Sequence, residues 1–290
     1  MKKILVPTDF SLNSKSGIRF AIHWAVQQNL ELVFIHVLNI MIPTRWSQGT
    51  ATKYIAGEKE TCRNRFGKFI DAVYKSMNIK PGLYSNVILQ GYDPSKIILE
   101  YCRKDKTIDC ICISTNGAGP VMKLFGTNTS ELIAKSPIPV LAIPKNYKPK
   151  EIKSILYATD FGNYKEELAK VIRFASTFRA KVDVVHFAWP GELRFDEEAL
   201  QKISGDYEHG LNVDIEESNP TVPLGERLQK TILKRKSSVV IMFNNKERNF
   251  LQKLFLSSKA KELSFSLKTP LLVYSKGNGT HKITKKHELA

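Results

Sequence analysis

The chain lacks the marks of several function classes. It has no run of about 18 apolar residues, so no membrane-spanning helix is expected. Its amino end, Met1-Lys2-Lys3-Ile4-Leu5-Val6-Pro7, enters a strand-like run at once and turns polar too soon for a signal peptide. Only four cysteines occur, Cys62, Cys102, Cys110 and Cys112, all in the first half and without paired metal-ligand spacing. Cys110 and Cys112 stand two apart in an apolar run, which puts them on one side of a buried strand. Reduced core thiols in a cytoplasmic protein are the expectation. Histidines are few, and His36 and His186 fall inside apolar strands, where a packed structural role is expected. Paired carboxylates, a Ser-His-Asp order and a Walker-type Gly-Lys-Ser/Thr loop are all missing. The balance leans away from an enzyme. A slow ATPase or phosphotransferase would rest on bound metal and positioning alone.

What is present in excess is positive charge, +16 over 290 residues. Residues 1–150 hold 21 Lys and Arg against 10 Asp and Glu, a net of +11; residues 151–290 hold 23 against 18, a net of +5. The basic residues are scattered, without aromatic interleaving or a reading helix. A solvated basic surface is expected rather than a nucleic-acid partner.

The chain also repeats itself. Lys3–Phe10 returns as Ser154–Phe161, Leu32–Val37 as Val182–Phe187, and Pro139–Ile143 as Pro270–Tyr274. Two further blocks, Cys110–Ile113 with Val240–Phe243 and Lys123–Phe125 with Lys253–Phe255, complete the series. Five matched blocks in one order identify a tandem duplication. Within a unit, short β-branched runs (Ile4–Pro7, Leu32–Val37, Asn86–Leu89, Cys110–Ser114, Val140–Ile143) predict buried strands. Between them, Ile18, Ile22, Ala25 and Val26 mark a helix with Ser11 as its N-cap. Cys62, Phe66, Phe69, Ile70, Val73 and Met77 trace one face of a longer helix. A third helix follows Asp93-Pro94-Ser95 and a fourth begins near Asn128. This alternation predicts α/β units with a parallel sheet covered on both faces. The expected units are residues 1–145 and 152–276, joined by the basic, Pro-containing segment Pro144–Ile152 and followed by a polar tail, residues 277–290.

Open parallel sheets bind ligands beyond the carboxyl ends of their strands. Two strand ends in the first unit have suitable chemistry. At Pro7-Thr8-Asp9, Asp9 is placed either to accept from a ribose hydroxyl or adenine amine, or to cap the next helix. At Ser114–Pro120, Gly117 and Gly119 permit close approach of backbone amides to phosphate oxygens. The helix after Gly126 would point its amides and dipole at the same anion, with Thr127 and Thr129 adding donors. An ordinary turn and a helix capped by Asn128, Thr129 or Ser130 would account for the same residues.

The pieces Lys3–Phe10, Leu32–Val37, Gly91 before a helix, Ile111–Gly117, Gly126-Thr127-Asn128-Thr129 and Ser136–Val140 resemble a universal stress protein domain, and the likeness extends over nearly all of both halves. The resemblance implies two tandem Rossmann-like (adenine nucleotide alpha hydrolase-like) domains, each a five-stranded sheet of order 3-2-1-4-5. It implies ATP or a related adenine nucleotide, with or without Mg. Pro7, Thr8, Asp9, Val37 and Ile113 would line the adenine and ribose end; Ser114, Gly117, Gly126, Thr127, Asn128 and Thr129 would lie along the phosphates. It further implies unidentified protein partners, an internal pseudo-dimer through the last strand, and the option of a homodimer. Two features depart from the family's Gly-x2-Gly-x9-Gly-Ser/Thr pattern. Ser114 replaces the first glycine and is expected to narrow the pocket, and eight residues, not nine, separate Gly117 from Gly126. The second unit departs further: Asn244–Asn249 replaces the glycine loop, Glu247 falls at the place of Gly117, and Leu256-Ser257 replaces Gly126-Thr127. The expected function is a nucleotide-binding stress-response sensor or partner-binding module, with a scaffold as second half; the alternative is an interaction protein with a vestigial site.

Overall fold

The computed structural model describes residues 2–115, 127–145, 147–161, 163–188, 207–217, 222, 224–244 and 268–275. The first half runs β1 (Lys3–Pro7), α1 (Ser14–Gln28), β2 (Glu31–Leu38), α2 (Gln48–Met77), β3 (Tyr84–Gln90), α3 (Pro94–Lys104), β4 (Ile108–Ser114), α4 (Thr127–Lys135) and β5 (Val140–Ile143). The second runs β6 (Ser154–Thr159), α5 (Tyr164–Ser176), β7 (Lys181–Ala188), β8 (Leu211–Glu217), α6 (Leu224–Arg235), β9 (Val239–Asn244) and β10 (Leu271–Ser275).

Ten strands form one sheet in the order β3-β2-β1-β4-β5-β10-β9-β6-β7-β8. Read from either edge, each half shows the expected 3-2-1-4-5 order. All pairs within a half are parallel, and the halves meet where β5 and β10 pair antiparallel, Leu141 opposite Leu272. Alternate residues of each strand feed opposite faces. Ile4, Val6, Cys110 and Cys112 pack on the face covered by α1 and α2, while Leu5 and Ile111 pack on the face covered by α3 and α4. All four thiols are free and buried, and Cys110 and Cys112 share a face as expected. Burial pushes the Cys102 thiol up to about 12 and raises those of Cys110 and Cys112 as well, so none is poised as a nucleophile.

Local signals explain the element ends. Asp93 caps α3, its Oδ1 accepting from the Lys96 amide at 3.0 Å, with Pro94 in the first turn. Helices α1 and α2 stop at Asn29 and Asn78, both left-handed. The capping of α1 differs from the expectation. Asn13 holds the cap position without a side-chain bond, and the Ser11 hydroxyl accepts from the Ser14 amide from further out, at 3.2 Å.

Strand register corrects one block of the repeat. Ile4 lies opposite Cys110, and its counterpart Ile155 lies opposite Val239. Cys110 therefore corresponds to Val239, not to Val240. The same shift is seen where the Ile111 amide donates to Pro139 O and the Val240 amide to Pro270 O, each at 2.9 Å. A one-residue slip turns every side chain to the other face, and two apolar strands buried on both faces hide such a slip from hydropathy. The paired positions Gly117 and Glu247 lie outside the described residues. The Lys123–Phe125 and Lys253–Phe255 blocks lie outside the described residues.

Candidate functional site

The site begins with a turn that the chain builds twice. After β1, Phe10 adopts a left-handed backbone with φ 63°, and after β6 Phe161 does so with φ 57°. That region is unfavourable for an aromatic residue, and two contacts hold it. The Phe10 amide donates to Thr8 Oγ1 at 3.1 Å, and the ring stacks on His36 with centroids 4.2 Å apart. The Phe161 amide donates to Thr159 Oγ1 at 2.9 Å, and its ring meets His186 at 4.8 Å. In each half the histidine anchors the preceding strand end: Nδ1 donates to Thr8 O at 2.8 Å and to Thr159 O at 2.9 Å. A carbonyl can only accept, so Nδ1 carries the proton. Burial lowers the pKa of His36 below its ordinary value. The bond to Thr8 O and the charge of Asp9 oppose that shift, and Arg65 adds to it.

In the first half this turn borders a cleft of about 190 Å³ at the carboxyl ends of β1, β2 and β4. Pro7, Thr8, Asp9, Val37, Ile113, Ser114, Asn128 and Thr129 all line it, so eight of the residues singled out from the sequence converge there. Gly117 and Gly126 lie outside the described residues. Thr127 opens α4, and its side chain lies outside the described atoms. Sequence reading missed Ser11, Asn13, Ser14, Ile35, His36, Pro94 and Ile98, which also line the cleft. For His36 a signal existed, since it stands at the carboxyl end of its strand beside Val37 and recurs as His186 in the second unit. The α3 residues carry no chemical signal and enter through the topology.

Asp9 is exposed, and its Oδ1 accepts from the Ser11 amide at 3.0 Å. That bond closes a short turn ahead of α1, so Asp9 does not cap the helix itself. It leaves Oδ2 without a hydrogen-bond partner among the described residues. Thr8 is buried, and its hydroxyl is committed: it accepts from the Phe10 amide and lies 2.9 Å from Ser14 Oγ, which itself donates to Ser11 O at 2.8 Å. Thr8 shapes the wall and has little left to offer a ligand.

Ser114 behaves differently from the expectation. Its Oγ accepts from the Gly17 amide at 2.6 Å and donates to Ser14 O at 3.1 Å. The hydroxyl thus turns toward α1 and satisfies one of the unpaired amides of that helix's first turn. Gly17 makes this possible, because a Cβ there would lie 2.9 Å from the Ser114 amide nitrogen. The opposite wall is the start of α4, where Asn128 Oδ1 accepts from the buried Ser95 hydroxyl at 3.0 Å and ties α4 to α3.

The corresponding strand ends of the second half carry larger side chains. By strand register Phe187 stands where the first half has Val37, Phe243 where it has Ser114, and Tyr157 where it has Val6. The Arg227 guanidinium of α6 lies 4.8 Å over the Phe187 ring, and Phe243 stacks on Tyr274 at 4.8 Å. The Tyr157 hydroxyl lies 2.6 Å from Glu167 Oε2 and 2.9 Å from Thr159 Oγ1, all buried.

This strand order, with a cleft at the neighbouring ends of β1 and β4, defines a doubly wound α/β fold with an open cleft at its switch point. The family model of the universal stress protein family matches residues 1–144, and through that half the chain belongs to this family. Solved structures agree in fold over the whole chain. A universal stress protein from Archaeoglobus fulgidus DSM 4304 shares 16% identity with a TM-score of 0.65, covering 95% of this chain and 97% of its own. A putative universal stress protein from Pseudomonas aeruginosa UCBPP-PA14 shares 15% with a TM-score of 0.55, covering 95% and 93%. A functionally unknown protein from Pseudomonas aeruginosa PAO1 shares 16% with a TM-score of 0.54, covering 95% and 92%. No curated protein matches the chain in sequence. Among the described residues no helix is long and apolar enough to cross a membrane.

Proposed function

We propose that the first-half cleft binds an adenine nucleotide, ATP or a close relative, and that this stress-response protein acts as a nucleotide-dependent sensor or partner-binding module. Residues 1–145 form the ligand-binding unit in this reading, and residues 152–276 the scaffold. The observation that carries it is the convergence of Asp9, Val37, Ile113 and the first turn of α4 on one cleft.

The fit is to the nucleoside end of the ligand. A cleft of about 190 Å³ is below the roughly 300–1,000 Å³ of small-molecule sites. Its walls suit a base and sugar, with Val37 and Ile113 against the ring and the free oxygen of Asp9 accepting from a ribose hydroxyl. The phosphates would run toward the amides at the start of α4, which favour negative charge. Bound nucleotide supplies the polyphosphate; the protein's part is to orient it and cover the base.

Calorimetric titration of ATP against the purified protein and an Asp9→Ala variant tests the reading. Losing the carboxylate's hydrogen bond to the sugar is expected to weaken binding about tenfold, or about 1.4 kcal/mol. Equal affinity in both proteins, or no binding by the unaltered chain, would sink it.

A further inference from the structure

A larger cavity, about 600 Å³, lies at the opposite end of β1 and β4, between the two halves. Its place follows from the antiparallel β5–β10 seam, which sets the carboxyl end of β10 beside the amino ends of β4 and β1. Helices α1 and α5 are tied across it. The Trp24 and Phe174 rings meet edge to face at 5.6 Å, and Gln28 Nε2 donates to Thr177 O at 2.6 Å. The volume lies within the roughly 300–1,000 Å³ of small-molecule sites.

The lining is apolar at its base and cationic at its rim. Trp24, Phe174, Tyr274, Leu272, Ile4 and Cys110 supply the apolar surface. Lys170 and Arg173, one turn apart on α5, border it and are exposed. Neither forms an ion pair among the described residues; Lys170 only overlies the Phe243 ring at 5.9 Å. Lys2 adds a third cation, held only loosely to Asp109 at 4.0 Å. Exposed pairs of that kind contribute little and leave the cation available.

We propose that this cavity binds a monoanionic amphiphile of the fatty-acid class, its chain over Trp24, Phe174 and Tyr274 and its carboxylate at Lys170 and Arg173. A polyphosphate does not suit the place. The helix segments that border it are the last turns of α1 and α5, whose carbonyl ends carry partial negative charge. Lys3 is engaged by Glu31 and Asp105, and Lys2, Lys170 and Arg173 face the carboxylate of Asp109, so the surplus of positive charge balances one carboxylate and not three or four phosphate charges. The chain's own carboxyl-terminal segment, residues 276–290, is an unsuitable occupant on charge: it carries Lys276, Lys282, Lys285 and Lys286 against Glu288.

The test is calorimetric titration of dodecanoate, below its micelle concentration, into the full chain, with tryptophan fluorescence read in parallel. Saturable one-site binding is expected, with a fluorescence change that disappears in Trp24→Phe. Lys170→Glu/Arg173→Glu should weaken binding at least tenfold, with Lys170→Gln/Arg173→Gln as the gentler pair should charge reversal disturb folding. Dodecyltrimethylammonium, with the same chain and opposite charge, should bind at least tenfold more weakly. ATP should not displace dodecanoate, so success or failure here is separate from the nucleotide reading. Absent saturation, equal binding of the cationic amphiphile, or unchanged affinity in both variant pairs would overturn the proposal. Co-sedimentation with phosphatidylglycerol vesicles, lost in the same variants, would overturn it in favour of a membrane surface.

Discussion

The two halves share a backbone plan and a strand-end turn, yet they differ in the size of the side chains set around that turn. Thr8, Phe10 and His36 in one half, and Thr159, Phe161 and His186 in the other, make the same hydrogen bonds and ring contacts. What separates them is side-chain volume around the turn. The first half has Val6, Val37 and Ser114, the last two bordering the cleft; the second has Tyr157, Phe187 and Phe243, with Tyr157 against Phe243, Phe243 stacked on Tyr274 and Phe187 under Arg227. The same sheet accommodates larger residues at these positions without a change of strand order.

Helix α1 and its counterpart α5 show how deep the difference goes. Ile18 and Ala21 match Leu168 and Val171 as the buried residues of each helix, which puts Glu167 at the place of Gly17. Gly17 brings α1 against β4, whereas Glu167 is buried and takes a hydrogen bond from Tyr157. Gly17→Glu, copying the second half into the first, is the harshest exchange. Its first side-chain atom would fall 2.8 Å from Ser114 Oγ and 2.9 Å from the backbone nitrogen, so the helix must move. Overpacking of this kind costs about 1–3 kcal/mol, and the lost Ser114–Gly17 bond adds to it. A fall in Tm of about 6–10 °C is expected by scanning calorimetry; an unchanged Tm would mean the close approach of α1 is dispensable. Tyr157→Phe acts on the other half. It withdraws a donor from a buried carboxyl and should cost about 2 kcal/mol in urea unfolding, while leaving the first-half cleft untouched.

A milder exchange separates closure of the cleft from damage to the fold. Val37→Phe places the residue of the second half in the wall of the first, at a half-buried position on β2. Val37 borders open cleft space, so the added ring should cost less than the roughly 1–3 kcal/mol of overpacking a closed core. ATP affinity should fall about tenfold, read by calorimetry beside Asp9→Ala. Retained affinity would show that ring packing at this place is not what distinguishes the halves.

Most of this architecture was legible because strands and helices leave periodic signals. The duplication needed only pattern; the strand order and the convergence of Asp9, Val37, Ile113 and Thr129 came from the family likeness. Three things did not show. Register between Cys110 and Val239 was hidden, since strands buried on both faces are apolar at every position and a slip by one leaves the pattern intact. The commitment of Ser114 to α1 depends on Gly17, 97 positions away in the sequence. Glycine there reads as a weak point in a helix, and only the packed structure reveals a close approach. His36 was assigned to the core from its apolar neighbours, and it is indeed anchored to Thr8 O. The residue also borders the cleft, because a strand end at the sheet's carboxyl edge is both packed and open.

That double position gives His36 the smallest of the expected effects and a distinctive one. Burial disfavours the imidazolium, with Arg65 adding to the penalty and Asp9 and the Thr8 carbonyl offsetting part of it, so the folded-state pKa lies below the ordinary value of about 6.5. As pH falls below about 6.5 the unfolded chain takes up the proton before the folded one does. The unfolded state binds more protons in that window, and stability rises with pH across it. The contribution is fully present above about pH 6.5 and is lost as pH falls through the folded pKa. His36→Gln can still donate to Thr8 O but does not titrate. Urea unfolding at pH 7.5 and at pH 5 should show a smaller loss of stability on acidification in His36→Gln than in the unaltered protein. Identical pH dependence in both would mean that the ring beside the cleft titrates as if it were in water, and that the stacking of Phe10 does not shield it.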